Sequence, residues 1–209
     1  MSCEGNKPEL TMTFANRRVM VTGGCGFVGS HLVRRLVQMN SRVTSLGGNR
    51  DETEQIDGAQ YIFGNISRNT LETVDFVPDT IFHLAGGASV AASVADPPGD
   101  FLATVFSSVL LLDFLRSYWP QTQLVYVSSA AIYGEAEHKT ASHDLTCLPI
   151  SPYGLCSFHT SKWLNLRQLQ VWLCNHNAYT TIRYNQSATR KLDRLDCGHF
   201  RGVAPSSRL

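Results

Sequence analysis

Apolar positions along the chain follow two periods. Arg18-Val-Met-Val-Thr22 is a short apolar run that ends in glycines, and His31-Leu-Val-Arg-Arg-Leu-Val-Gln38 follows with its apolar residues at helical spacing. Together they read as strand, tight turn and helix. Further strands are predicted over 42–46, 60–63, 80–84 and 123–128, with one more over 180–184. Residues 101–119 predict a long helix stopped by Pro120, and a second helical pattern runs from about 161 to 174. Strands interleaved with helices imply an α/β fold of the Rossmann type, a doubly wound parallel sheet with flanking helices.

The glycines at the first turn carry the most specific chemistry. Gly24-Cys-Gly26-Phe-Val-Gly29 fits the dinucleotide fingerprint, and Gly23 adds the overlapping spacing Gly23-x-x-Gly26-x-x-Gly29. Gly23 lets the chain turn sharply off the strand, Gly26 lets backbone N–H groups approach a pyrophosphate, and Gly29 permits close helix–strand packing. The fingerprint usually continues to an acidic residue about 20 positions later that binds the ribose hydroxyls. Here the second strand ends Ser45-Leu46-Gly47-Gly48-Asn49-Arg50, and the first acid is Asp51. Arg50 suits a 2′-phosphate, so NAD and NADP are both open at this point.

Composition narrows the class. A chain of 209 residues buries roughly 70% of its unfolded surface as one domain, which needs no metal or disulfide staple. The formal net charge of +1 hides an asymmetry: residues 1–150 sum to −5 and residues 151–209 to +6. Arg183, Arg190, Lys191, Arg194, Arg201 and Arg208 are spread out rather than blocked, the pattern of a solvated surface and not of a nucleic-acid partner. The six cysteines form no CxxC pair, the first eighteen residues lack the apolar core of a signal peptide, and no apolar run approaches the roughly 20 residues that span a bilayer. The expectation is a cytoplasmic protein with reduced thiols and no membrane partner.

Five stretches, in order, extend the pattern: Thr22-Gly-Gly-Cys-Gly-Phe-Val-Gly29, Gly64-Asn-Ile66, His83-Leu-Ala-Gly86 with Ser89-Val90 and Asp96-Pro97, Ser128-Ser-Ala-Ala-Ile-Tyr-Gly134, and Pro149-Ile-Ser-Pro-Tyr-Gly154. They resemble the extended short-chain dehydrogenase/reductase family, the NAD-dependent nucleotide-sugar epimerases and dehydratases, and most nearly its UDP-glucose (UDP-galactose) 4-epimerase type. The resemblance implies that Gly23, Gly26, Phe27, Val28 and Gly29 hold the cofactor's phosphates. Asn65 and Ile66 would lie beside the adenine, and Leu84, Ala85 and Gly86 beneath the dinucleotide. It implies NAD, with NADP possible, as cofactor, a nucleotide sugar such as a UDP-hexose as substrate, and a homodimer. Ser129 and Tyr153 would be catalytic, the phenolate removing a sugar hydroxyl proton while hydride moves to the nicotinamide.

The family places a lysine four residues after that tyrosine. Here Tyr153 plus four is Ser157, and the next lysine is Lys162. Nine steps at about 100° and about 1.5 Å each would put Lys162 on the opposite helix face, about 13 Å up the axis. Looping out Cys156-Ser-Phe-His-Thr160 would instead restore Tyr153-Gly-Leu-Ser161-Lys162 and make Lys162 catalytic. The resemblance also implies a chain whose substrate-binding lobe is largely missing. The expected organisation is a polar extension over 1–17, the NAD(P)-binding domain over 18–185 and an irregular basic tail over 186–209. Two functions follow as alternatives: an epimerase or dehydratase that uses Ser129, Tyr153 and a looped-in Lys162, or a catalytically inactive truncated dinucleotide-binding module or decayed-gene product.

Overall fold

A computed structural model describes residues 14–48, 55–135 and 147–165, together with the backbone of 170–175 and 178–182. Val19, Met20 and Val21 have no exposed surface, so β1 (Arg18–Thr22) is covered on both faces, as a central parallel strand requires. It pairs in parallel with β2 (Arg42–Leu46) on one side and with β4 (Thr80–His83) on the other. Outside these lie β3 (Ala59–Ile62) and β5 (Gln123–Ser129), followed by β6 (Gln170–Asn175) and β7 (Ala178–Ile182). The order is β3-β2-β1-β4-β5-β6-β7, parallel throughout except for the antiparallel edge pair β6–β7.

Alternate side chains of β1 feed two separate cores. Val19 and Val21 pack with Val33 and Leu36 of helix α1 (Phe27–Gln38) and with Val43. On the other face Met20, Ile81 and Leu124 meet Leu111 and Leu115 of α5 (Ser107–Tyr118). Full burial of each such side chain stabilises the fold by about 1.5–3 kcal/mol. Short helices α2 (Arg68–Glu72), α3 (Val90–Ala95) and α4 (Pro97–Phe101) complete the connections, and α4 runs through a π-turn at Leu102–Phe106 into α5. Between β5 and α6 (Pro152–Asn165), a 3₁₀ turn at Ala130–Tyr133 ends on Gly134.

Two expectations are corrected. The helical pattern placed at 161–174 divides: α6 starts earlier, at Pro152, and the β-rich run Gln170-Val-Trp-Leu-Cys extends the sheet beside β5. Sheet pairing overrides a local periodicity that suited either element. The continuous helix Pro97–Tyr118 is also long and apolar enough to cross a membrane by length and composition, although no such run was expected. Its Val105, Ser108, Leu111, Leu112 and Leu115 are buried in the domain, which makes it a core helix with one outward face. The last expected strand is β7, at 178–182; residues 183 and 184 lie outside the described residues, as do Arg50, Asp51 and the tail.

Candidate functional site: a groove at the strand ends

The order β2-β1-β4 reverses direction between β1 and β4, and ligands of open α/β sheets bind outside the strand carboxyl ends at such a reversal. A groove of about 920 Å³ lies there. Its walls are Gly23 and Gly26 after β1, Gly47 and Gly48 after β2, Gly64, Asn65 and Ile66 after β3, and Leu84, Ala85 and Gly86 after β4. The long helix closes one side with Leu102, Ala103 and Phe106 of the π-turn.

The glycines divide by the reason each is needed. Gly23 has φ +73°, and a Cβ there would stand 2.8 Å from Ala85 N. A Cβ at Gly29 would stand 2.1 Å from the Gly23 carbonyl oxygen, so α1 touches the turn backbone to backbone. Gly26 differs: its φ of −75° suits any residue, and a Cβ would meet one atom, Gly23 O, at 3.2 Å. At Gly26 the fold asks for glycine only through that one tight contact and not through its backbone conformation. The start of α1 has no side-chain cap and no acidic residue in its first turn, which leaves first-turn N–H groups and the positive end of the helix dipole for a ligand.

Of the residues expected to hold cofactor, Gly23, Gly26, Asn65, Ile66, Leu84, Ala85 and Gly86 line the groove. Gly29 is buried beneath it, while Phe27 and Val28 stand exposed at the α1 start, Phe27 at 82%. Sequence reading missed Cys25, whose thiol donates to the Gly47 carbonyl at 3.2 Å, and the π-turn wall. Gly47-Gly48 was a signal for Cys25's neighbour, because both have positive φ and a Cβ on Gly48 would stand 2.9 Å from Cys25 Cβ. Nothing in the periodicity marks a π-turn.

Ser129, Tyr153 and Lys162 are not part of the groove lining. Ser129 caps the 3₁₀ turn, accepting from Ala131 N at 3.2 Å. Gly154 lies so close to that turn that a Cβ would stand 2.5 Å from Ala131 O, which holds the α6 start, and Tyr153 with it, beside the β5 end. The Tyr153 amide donates to Ser93 Oγ at 3.0 Å. Deeper in α6, the Ser128 and Ser161 hydroxyls share a 2.9 Å hydrogen bond, and Ser161 donates to the Ser157 carbonyl. Burial pushes the Cys156 thiol up to about 12, and the hydrogen bond to Asp100 and its charge act in the same direction.

No loop-out interrupts α6. The helix is continuous from Pro152 to Asn165, so Lys162 is carried away from Tyr153 to the outer face it shares with exposed Leu155, His159 and Trp163. Its ammonium lies over the Phe158 ring, 5.2 Å from the centroid. The position one turn after Tyr153 belongs to Ser157, which is 3% exposed. Ser157 and Thr160 face the Tyr126 phenol, whose pKa burial raises well above the usual tyrosine value. Neutral hydroxyls therefore occupy the inner face of α6.

Comparison with known proteins gives the family. The NAD dependent epimerase/dehydratase family matches residues 19–193. The chain belongs to that family. A UDP-glucose 4-epimerase from Mycolicibacterium smegmatis is 32% identical over 175 residues, covering 79% of this chain and 56% of the relative. The crystal structure of the Thermus thermophilus UDP-glucose 4-epimerase complex with NAD superposes with TM-score 0.68 at 30% identity, over 74% of this chain and 53% of that one. The Thermotoga maritima enzyme with UDP-glucose gives 0.67 at 28% identity, with coverage of 74% and 53%. The chain thus spans about half the length of the relatives it matches.

Proposed function

We propose that this chain binds NAD in the strand-end groove and that α6, as built, does not support the proton transfer of a nucleotide-sugar epimerase. The bare α1 start and the unobstructed backbone at Gly26 suit the pyrophosphate. Asn65 presents a side-chain carbonyl able to accept from an adenine amine. Leu84, Ala85 and Gly86 give the dinucleotide a floor without charge. When bound, NAD supplies a hydride acceptor at the nicotinamide ring.

The observation that carries the second half is the unbroken α6 with Ser157 in the lysine's place. A tyrosine has an ordinary pKa of about 10, and as a base near neutral pH it needs a neighbouring cation to hold its phenolate. Lys162 is the sole lysine or arginine of α6, and it faces outward. Ser129 and Tyr153 retain neighbouring places, which supports the alternative of an active epimerase acting on a UDP-hexose. Apolar Leu155 and Trp163 on the outer face of α6 support self-association as a homodimer, which sedimentation would check.

Calorimetric titration of the full chain with NAD and with NADP separates these readings. NAD binding that Gly26→Asp abolishes, with an unchanged circular dichroism spectrum, is expected. Equal binding by both proteins would remove the groove from consideration. Conversion of UDP-galactose to UDP-glucose in the presence of NAD, at a rate that falls on Tyr153→Phe, would overturn the inactive reading in favour of the epimerase.

A further inference from the structure

Behind the groove floor, five groups from four elements form one buried hydrogen-bonded chain. The Ala85 amide donates to Thr22 Oγ1 at 3.3 Å, and Thr22 Oγ1 lies 2.6 Å from His83 Nδ1. On the other side of the ring, His83 Nε2 lies 2.8 Å from Ser108 Oγ, which donates to the Thr104 carbonyl at 2.5 Å. Thr22 and His83 are fully buried, and Ser108 is 1% exposed.

The proton inventory fixes the direction of every bond. A carbonyl accepts and never donates, so the single Ser108 hydroxyl proton is committed to Thr104 O, and Ser108 Oγ must accept from His83. His83 therefore carries its proton on Nε2. Neutral imidazole has one N–H, so Nδ1 is an acceptor and takes the Thr22 hydroxyl proton. Thr22 Oγ1 remains free to accept from Ala85. The chain runs Ala85 N–H to Thr22 O–H to His83 Nδ1, and His83 Nε2–H to Ser108 O–H to Thr104 O.

Both ends of this chain reach the loop beneath the groove. Thr104 sits in the π-turn and its own Oγ1 accepts from the Gly87 amide at 2.8 Å. The amides on either side of Gly86 are thus held from opposite directions, Ala85 from β1 and Gly87 from the π-turn, with His83 spanning the two anchors. Gly86 has φ +154° and lies 3.3 Å, by its would-be Cβ, from Thr104 Oγ1, so this loop has little slack. The Thr104 carbonyl accepts from Ser108 Oγ and, at 3.4 Å, from Ser107 Oγ.

We propose that His83, locked as the Nε2–H tautomer, is a positioning residue that sets the Leu84–Gly87 loop for a dinucleotide by coupling β1 to the π-turn. The inference rests on the dinucleotide reading above and deepens it. Residues on β1, β4 and the long helix, remote from one another in sequence, act as one device on cofactor affinity.

The test uses the full chain labelled with ¹⁵N-histidine, the His83 signal being assigned by its loss in His83→Asn. Long-range ¹⁵N–¹H correlation of the ligand-free protein is expected to show an unprotonated Nδ1 and a protonated Nε2, and Ser108→Ala is expected to shift that ring. An Nδ1–H tautomer, or a ring averaging between tautomers, overturns the proposal. For NAD, Thr22→Val and Ser108→Ala should each weaken binding by about tenfold, the consequence of one orphaned buried group. The double variant should lose clearly less than the product of the two, because both break the same chain. Independent, multiplying losses overturn the coupling. Absence of NAD binding by the wild type overturns the dinucleotide reading instead, and the spectrum of the ligand-free protein distinguishes that failure from a wrong tautomer.

Discussion

The glycine turn and the start of α6 stand at the same end of one sheet, yet the fold ties residue type down at the first and not at the second. At the turn, an added Cβ would stand 2.8 Å from backbone at Gly23 and 2.1 Å from backbone at Gly29, which makes the residue type a condition of folding. In α6, the residue one turn after Tyr153 can change from an ammonium to a hydroxyl without disturbing the helix, because Ser157 finds neutral company in Tyr126 and Thr160. A site whose parts are also structural resists change; a site whose charge serves chemistry alone does not. On the function proposed above, the strand-end groove belongs to the first kind and the inner face of α6 to the second.

The sharpest way to break this comparison is at the glycines. Gly29→Ala should destabilise the domain by about 3 kcal/mol or more, since the added methyl meets backbone that cannot rotate away. Gly26→Ala should stay within about 1 kcal/mol, because φ −75° accepts it. Urea midpoints with unchanged slope would measure both. Equal losses would remove the distinction between a glycine kept for the fold and a glycine kept for the ligand.

How far the sequence revealed this follows the same division. β1, the glycine turn and α1 were legible because three local signals coincide there: a buried apolar run, glycines at fixed spacing and a helical period. The groove's floor, Leu84 to Gly86, was legible by family resemblance. Its π-turn wall was not, since a one-residue helical insertion leaves no periodic mark. Nor was the His83 chain, whose partners lie 61 and 25 residues away in sequence. For Lys162 the sequence left a looped-in and an outward lysine open; the unbroken helix turns it outward. The extra sheet strand at 170–175 was hidden by an apolar period that fits either element.

The groove half also predicts a pH signature that α6 does not. Complete burial pulls the His83 pKa down to about 4, while in the unfolded chain it returns to about 6.5. Between those values the unfolded state binds more protons, so stability falls as pH drops from about 6.5 to about 4, by up to about 3 kcal/mol. Urea midpoints at several pH values should show this slope, and His83→Phe should flatten it. A slope unchanged by the substitution would mean that His83 is not the group responsible.

On the α6 side, Ser157→Lys restores the family spacing to Tyr153. It should raise nucleotide-sugar turnover with NAD by on the order of tenfold or more, in the direction of what a well-placed acid–base group contributes. The change should also cost stability, because the site is 3% exposed and an ammonium there loses most of its water. Turnover that stays at the wild-type level would show that the missing cation is not what limits the chemistry.

The smallest effect is expected at Lys162 itself, and it is informative for that reason. Its ammonium lies 5.2 Å from the Phe158 ring centroid on the outer face of α6, a contact worth about 0.5–1 kcal/mol at an exposed site. Lys162→Ala should therefore change stability by no more than about that amount and leave NAD affinity and any turnover within twofold. A large fall in turnover with affinity unchanged would mean that Lys162 reaches Tyr153 in the working protein. That would require α6 to open between Tyr153 and Lys162, breaking the Ser161 hydrogen bonds to Ser128 and to the Ser157 carbonyl. Ser161→Ala removes both bonds, so if such an opening operates the variant should be more active than the wild type, and with a rigid α6 it should not.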